Sequence, residues 1–514
     1  MPGSIRESNE GEPFIAIVGA GISGLSAARR LIELAIVGAG ISGLSAARRL
    51  IELGRINIDI FEGKNRIGGR IHPIPYHGGY LQMGAQFING AKNPIYKIAN
   101  ALGVISGIVS DKAHLENADY LFGDQKISRM DIELFTNFTK PLDSKYRRMA
   151  QQHNHLLRNY TIESKFMEDY LEFLKENNIT GLRRAVFDAL MRSYRSYWEF
   201  EWGGDWTDLS PLVLSEFNDK GVEGESFLTN KHGYKAILDN IKEFIPKHMI
   251  HFNTTILNIN YTGDQVILTT SHGYVQKTYD YVIMTSSLGH LKKYHQNLFT
   301  PPLPRQKIEA IEKIGFGGTG KIFFRWKEPW WSNNTYSITP LPVKGMARDT
   351  IDNFENAITT LQVLEWNPNT LMAWVAGSGQ EVIDNMSDDE LKNRITLLIR
   401  DMKNDHSIPE PSDVIRTRLT KDELLLGSYS YISLAQAKAR IPHSRLAIPV
   451  KHNKRLKILF AGEATHHRLF QTVIGAYLSG RREADRLNLN WKSCKRTLKM
   501  RNFCETMKNN SEPE

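Results

Sequence analysis

The chain is poor in cysteine. Among its 514 residues only Cys494 and Cys504 occur, both in the last stretch. That excludes a secreted disulfide framework and points to a reducing compartment. No run of about 18 apolar residues is present, so no membrane span is expected. Met1 to Pro13 is polar and carries Glu7, Glu10 and Glu12, which is not the make-up of a signal or transit peptide. The final Ser511-Glu512-Pro513-Glu514 is not the serine-lysine-leucine peroxisomal address. A cytoplasmic setting, or a nuclear one, is expected, with sequons such as Asn253-Thr254-Thr255 unused. Zinc-ligand spacing and basic–aromatic repeats are also lacking. The net charge of +9 therefore does not point to nucleic acid, and no metal site is expected. The cations are dispersed except in a basic tail, 491–514, where Lys492, Lys495, Arg496, Lys499 and Arg501 cluster. Such a tail reads as a solvated basic helix or a frayed end. The remainder is ordinary for a globular protein, 41% hydrophobic and 24% charged, and long enough for a two-domain enzyme.

Residues 16–34, AIVGAGISGLSAARRLIEL, recur letter for letter as residues 35–53. Two copies of 19 residues do not make a solenoid; a recent duplication and an assembly error both leave this pattern. Each copy carries an apolar strand, G-x-G-x-x-G and an alanine-rich helix, the dinucleotide-binding fingerprint. Its first glycine makes the tight turn, the second lets the backbone approach a pyrophosphate, and the third lets helix and strand pack closely. The helix N-terminus offers free N–H groups and a positive dipole end to phosphate. After the second copy Gly54 ends the helix, and the alternating Ile56-Asn57-Ile58-Asp59-Ile60-Phe61 leads to Glu62. Glu62 lies 24 positions beyond Gly38 and 43 beyond Gly19; the usual spacing to the acid that holds the ribose is ~20. Gly38, Gly40 and Gly43 are thus expected to hold the cofactor, with the first copy as a displaced N-terminal appendage. In the rival arrangement Phe14-Ile15-Ala16-Ile17-Val18 is the strand and the second copy loops out.

Glu62 opens Glu62-Gly63-Lys64-Asn65-Arg66-Ile67-Gly68-Gly69-Arg70. The pattern E-x-x-x-R-x-G-G-R, straight after the second strand of a Rossmann unit, resembles the flavin-containing amine oxidase family. Paired glycines let the chain pass close to a cofactor, and Arg70 is suited to clamp phosphate oxygens. The resemblance continues at Leu81-Gln82-Met83-Gly84-Ala85-Gln86-Phe87, at Phe460-Ala461-Gly462-Glu463-Ala464-Thr465-His466, and at Thr472-Val473-Ile474-Gly475-Ala476. The nearest pattern is that of spermine and N1-acetylpolyamine oxidases. It implies non-covalent FAD, with Gly84 and Ala85 passing near the flavin. It also implies Gly462 and Glu463 at the ribityl chain, Val473 at the pyrimidine edge and Ile256 at the adenine edge. A helix start at Thr472–Val473 would stabilise negative charge on the reduced flavin.

On the reacting side, Lys321 enters an apolar strand after a glycine-rich lead, Gly315-Phe316-Gly317-Gly318-Thr319-Gly320. A buried, unpaired ammonium is costly. The resemblance makes it the lysine that holds a water at flavin N5. Tyr429, in Gly427-Ser428-Tyr429-Ser430-Tyr431, would be one aromatic wall for the amine. The opposite wall falls at Thr472, as in polyamine oxidases and lysine demethylases. Ser428 stands where monoamine oxidases carry the cysteine that bonds to FAD, hence the non-covalent expectation. Glu201 and Asp205 fall where spermine oxidases contact the amine, and Asn89 where polyamine oxidases usually carry histidine or glutamate. Further departures are Leu419 for a tryptophan against the flavin, the absent proline and arginine after it, and Ser287 for a proline.

The expected fold is α/β: a Rossmann-type FAD-binding domain (1–95, 206–299, 440–490) and a discontinuous α+β substrate-binding domain (96–205, 300–439). Residues 96–200 read as mostly helical, with apolar residues such as Ile132, Phe135, Phe166, Tyr170 and Phe173 at helical spacing. The resemblance implies oxidation of a polyamine by O2 to an aldehyde, a shorter amine and hydrogen peroxide. The partners are then a small amine and oxygen, and neither nucleic acid nor membrane. A lysine-specific histone demethylase-like enzyme, or a weakened or inactive flavoprotein, is the alternative.

Overall fold

The computed structural model describes residues 33–109, 118–122, 125–217, 226–341, 358–377 and 379–509. The second copy of the repeat builds the first unit. Strand β1 (Leu34–Val37) runs into the glycine turn, helix α1 (Ile41–Glu52) follows, and β2 (Ile58–Phe61) returns parallel to β1. β1 is buried on both faces: Leu34 and Ile36 join one core, Ala35 and Val37 another. That is why its sequence is a continuous apolar run. It lies centrally in a six-stranded sheet, between β2 and β3 (Tyr281–Met284). Ile250–His251 flanks β2, and Arg455–Phe460 pairs parallel with β3. Val450–His452 adds an antiparallel edge. Three distant chain segments thus share one parallel sheet.

The first copy of the repeat lies outside the described residues up to position 32, so the rival strand Phe14–Val18 does too. Its last two residues do not stand apart. Leu34 is the first residue of β1. Glu33 accepts from the Asp280 backbone N–H, donates its own N–H to the Asp280 carboxylate (2.9 Å), and pairs with Lys277 at 2.6 Å.

The helical region is packed on aromatic rings. Phe135, Phe166, Tyr170, Phe173 and Phe187 are buried together with Trp198, Trp202 and Trp206, and Ile132 packs against them. Its longest helix, α2 (Gly181–Trp202), ends at Gly203 in the left-handed conformation, φ 72°, the usual way to close a helix C-terminus. Two strands interrupt the expected run of helices. Ile105–Ile108 joins a small sheet with Ser226–Thr229 and Ile88–Asn89, and Ala118–Phe122 lies parallel to Ser337–Leu341. Residues at the expected 95/96 boundary belong to the first core: Ile95, Ala99 and Val104 pack with Ile36 and Leu44, so helix Pro94–Ala101 straddles it.

A seven-stranded sheet completes the molecule. β4 (Thr319–Arg325) lies next to one edge, paired antiparallel with β5 (Thr370–Ala376) on its inner side and with the edge strand Asp413–Arg416 on the other. Helix α3 (Val473–Asn509) crosses α1 in close contact and carries the basic tail onward as helix. A Cβ at Gly480 would lie 2.1 Å from the Ser42 carbonyl, and the Ser45 hydroxyl donates to the Tyr477 carbonyl at 2.8 Å.

Candidate functional site

The three fingerprint glycines differ in what surrounds them. Gly38 has φ +105°, and a Cβ there would meet the Thr285 hydroxyl at 2.6 Å. At Gly43 it would sit 2.0 Å from the Gly38 carbonyl oxygen, so strand and helix touch only because no side chain intervenes. At Gly40, which precedes α1 without a side-chain cap, nothing lies within 4 Å. Backbone geometry there is ordinary for any residue (φ −68°, ψ 174°). Neither strain nor packing therefore calls for glycine at this position, and the open face leaves room for a ligand to reach the backbone.

The second glycine turn meets the first. Gly40 and Gly68 form an isolated parallel bridge, and the Gly68 N–H donates to the Ala39 carbonyl at 2.9 Å. Glu62 sits behind both. Its carboxylate accepts from the Ala39 N–H (2.7 Å) and the Lys64 N–H (2.9 Å). Burial pushes its pKa up, against those hydrogen bonds. Ile256 is buried at the head of a strand; just before it the Thr254 N–H donates to the Glu62 carbonyl (2.8 Å), and Thr255 lies against Gly63.

Arg70 links this corner to the chain's end. Its Nη1 donates to the Glu463 carboxylate at 2.8 Å and to the Ser428 carbonyl at 2.7 Å. The guanidinium expected at phosphate is thus positioned by protein oxygens. Glu463 also accepts from the Ser430 hydroxyl (2.7 Å) and the Gln471 N–H (2.8 Å). Burial alone would raise its pKa; Arg70 and these hydrogen bonds outweigh that and hold it below the usual carboxylate range. A cavity between the two halves of this corner is lined by Arg70, Ser286, Leu288, Phe460, Gly462 and Glu463. Gly462 has φ +130° with nothing within 4 Å of a Cβ position. Gly84 lets the Arg70 carbonyl through: a Cβ there would be 1.7 Å from that oxygen, which also accepts from the Ala85 N–H.

Thr472 caps α3. Its hydroxyl donates to the Leu469 carbonyl and accepts from the Gly475 N–H (2.8 and 2.9 Å), which places Val473 at the first position of the helix. Tyr429 lies against Gly203, where a Cβ would clash with its ring at 2.2 Å, and its hydroxyl donates to the Phe200 carbonyl at 2.6 Å. Ser428 donates to the Gly317 carbonyl and accepts from the Thr319 N–H, both at 2.9 Å.

Lys321 is fully enclosed. Its Nζ donates to the Gln82 carbonyl (2.7 Å), the Gly84 carbonyl (2.8 Å) and the Gln86 side-chain oxygen (2.7 Å). It lies 4.6 Å from the Trp374 ring centroid. Phe87 stacks on Trp374 at 5.8 Å and Phe200 meets it edge-on at 4.6 Å. Burial holds the Lys321 pKa well below the usual range. The lysine is thus joined by backbone to Gly84 and by aromatic rings to the Tyr429 side of α2.

The remaining candidates lie further out. Asn89 is exposed, its amide donating to the Ser226 hydroxyl at 3.2 Å. Glu201 is exposed on the last turn of α2 and raises the Tyr429 pKa through its charge, after the larger effect of burial. Asp205 accepts from the Thr207 N–H and hydroxyl and lies 3.7 Å from Arg195. The carboxylate that α2 turns inward is Glu199, not singled out from sequence. It is 2.8 Å from Arg195, yet burial pushes its pKa up to about 7. Trp374, Phe200 and Gln86 were missed as well. Trp374 sits in a strand buried along its whole length that betrays no face, and Gln86 gains its meaning only from a lysine 235 positions away. Ser287, in the place of a proline, caps helix Leu288–Leu298 by accepting the His290 N–H and ties it to the Leu425 carbonyl at 2.6 Å.

The family model of the flavin containing amine oxidoreductases matches residues 41–488. A human peroxisomal N(1)-acetyl-spermine/spermidine oxidase is 27% identical, over 95% of this chain and 97% of that protein. The mouse lysine-specific histone demethylase 1B is 25% identical over 92% of this chain but only 52% of its own length. Among solved structures, a redesigned putrescine oxidase superposes with a TM-score of 0.65 at 16% identity, covering 89% of this chain and 99% of its own.

Proposed function

This chain belongs to the flavin containing amine oxidoreductases and is an FAD-dependent amine oxidase, and we propose that its substrates are polyamines or their acetylated forms. The chemistry that FAD would supply when bound is two-electron oxidation at the carbon beside the amine nitrogen, with oxygen as the final acceptor and hydrogen peroxide as its product. The residues present suit a dinucleotide. Gly40 and Gly462 offer open backbone, Glu62 offers a buried carboxylate, and α1 begins after Gly40 with no side-chain cap on its first N–H groups. On this reading the six-stranded sheet carries FAD, and the helical region with the seven-stranded sheet carries the amine.

The observation that carries the proposal is Lys321, enclosed by neutral oxygens and aromatic rings where Gly84 meets Arg70. Tyr429 and Phe200 supply ring faces that attract and orient an amine. Glu201 is an exposed anion near Tyr429, placed to meet a second, protonated nitrogen as the chain of a polyamine extends outward. Ser428, engaged by Gly317 and Thr319, leaves FAD bound non-covalently. The length match supports a polyamine oxidase: the human relative aligns end to end, whereas the demethylase is twice as long as the matched part.

The test is an anaerobic absorbance spectrum of purified protein before and after adding spermine, N1-acetylspermine or a methylated lysine peptide. Bleaching of the flavin band by either polyamine is the expected result. Bleaching by the peptide alone would replace the polyamine reading with the demethylase one, and a yellow protein that no amine bleaches would refute both.

A further inference from the structure

Lys321 presents a conflict of forces. Burial favours the neutral amine. The geometry requires the opposite. A neutral amine has two N–H bonds and a lone pair, whereas Nζ has three oxygens at 2.7 to 2.8 Å. A lone pair facing a third oxygen at that distance is repulsive, so three acceptors at these distances match the ammonium form. Hydrogen bonds from a charged donor are about twice as strong as neutral ones, and the Trp374 face at 4.6 Å adds attraction for a cation.

Two of the three acceptors are main-chain carbonyls, of Gln82 and Gly84, fixed by the hairpin that ends at Gln82 and by the close passage of Gly84 against Arg70. The third is the side-chain oxygen of the half-buried Gln86. We propose that Gln86 is the positioning residue of this site: its carboxamide oxygen is the exchangeable third acceptor that keeps Lys321 charged and aimed. The three acceptors together with the Cε bond fill all four directions of Nζ. Any water or substrate atom that Lys321 is to hold must therefore take the place of the Gln86 oxygen. The inference rests on the reading of Lys321 as the lysine beside the flavin. The groups facing the lysine are uncharged on every side: Gln82, Gly84 and Gln86 from the segment after the hairpin, Trp374 from β5, and Thr417 beside its backbone. No charged group contributes to its shift, so Gln86 is the point at which a charge enters the cage by a single substitution.

The test uses FAD-loaded protein with wild-type sequence, Gln86→Leu, Gln86→Glu and Lys321→Met. Two quantities are followed from pH 6 to 10 without substrate: the flavin absorbance spectrum and the thermal midpoint. The wild type is expected to show a one-proton spectral transition that Lys321→Met abolishes. Gln86→Leu moves it down by at least one pH unit, because the charged form loses an acceptor; Gln86→Glu moves it up by at least one. The midpoint follows with a definite sign. A buried lysine titrating below its unfolded value makes stability rise with pH between the two values. Gln86→Leu widens that window and Gln86→Glu narrows it.

If both Gln86 variants titrate with the wild type while Lys321→Met loses the transition, the proposal is overturned and the site reading stands. If the midpoints follow the Gln86 side chain but Lys321→Met leaves the flavin spectrum unchanged, the cage stands and the place of Lys321 beside the flavin falls. If neither quantity moves in any variant, both are overturned. Should Gln86→Leu fail to fold, the near-isosteric Gln86→Glu decides alone, by an upward shift or its absence.

Discussion

Replacing Gly40 by alanine separates binding from folding. The backbone at Gly40 already has angles open to alanine, and nothing lies within 4 Å of the added methyl. Losing backbone freedom in the unfolded chain stabilises by about 0.4–1 kcal/mol, and alanine is a poorer helix cap than glycine by a similar amount. The apoprotein's stability should therefore stay within about 1 kcal/mol of wild type. Cofactor binding should not. A methyl on that open face keeps phosphate oxygens from the N–H groups at the start of α1. Hydrogen bonds to a charged group contribute about 1.5–3 kcal/mol each, so losing two weakens FAD by roughly 3–6 kcal/mol, or about 10²- to 10⁴-fold. Gly43→Ala is the opposite control. Its Cβ would meet the Gly38 carbonyl at 2.0 Å, backbone against backbone, and overpacking of that kind costs about 3 kcal/mol or more. Gly21→Ala, at the matching position of the first copy, should change neither. The assay is titration of apoprotein with FAD by flavin fluorescence, beside thermal melts. Wild-type FAD affinity in Gly40→Ala, or a loss in Gly21→Ala, would refute the assignment of the second copy to the cofactor.

Three further outcomes follow from the site. Glu199 has a folded pKa raised to about 7 from 4.5, so the native state binds the extra proton and stability falls as pH rises between those values. Glu199→Gln should remove up to about 3 kcal/mol of that slope, and a melt series in which variant and wild type keep the same pH dependence would contradict it. Glu463 shifts the other way, so its stabilisation is present above the unfolded value and lost as pH falls through the lower folded one. Glu463→Gln, which leaves Arg70 without its carboxylate, should destabilise by about 3 kcal/mol at neutral pH and flatten the acid limb of the melt series. Acid precipitation should release all flavin into the supernatant; flavin remaining with the pellet would show a covalent bond that Ser428 cannot make.

The strand–turn–helix unit at the glycine turn was readable because its constraints are local. Strand, glycine turn, helix and acid fall within 30 residues of one another, and each has a physical signature in the sequence. The helical region was readable for the same reason, since Phe166, Tyr170 and Phe173 repeat at helical spacing and are buried together. What escaped depends on long-range meeting. Ala118–Phe122 is a strand because Ser337–Leu341 pairs with it from more than 200 positions away. Glu199 and Glu201 look alike in Glu199-Phe200-Glu201, but two residues on a helix turn about 200°. One therefore faces the core and the other faces solvent, and the sequence does not say which until the neighbours of α2 are known. The lysine cage was hidden in the same way: Lys321 was noticed, but its three oxygens come from 82–86.

The junction at Glu33 and Leu34 has an evolutionary consequence. Because the two copies are identical, excising residues 16–34 and excising residues 35–53 yield one and the same chain, with Phe14-Ile15 standing where Glu33-Leu34 now enter β1. Isoleucine for leucine keeps an apolar side chain at that end of the strand. Phenylalanine for glutamate gives up an ion pair with Lys277 that is partly exposed on both sides, worth at most about 1 kcal/mol. The main-chain hydrogen bonds with Asp280 remain available to any residue. The chain therefore stands one contraction from its shorter form, with little in its stability to oppose the step in either direction.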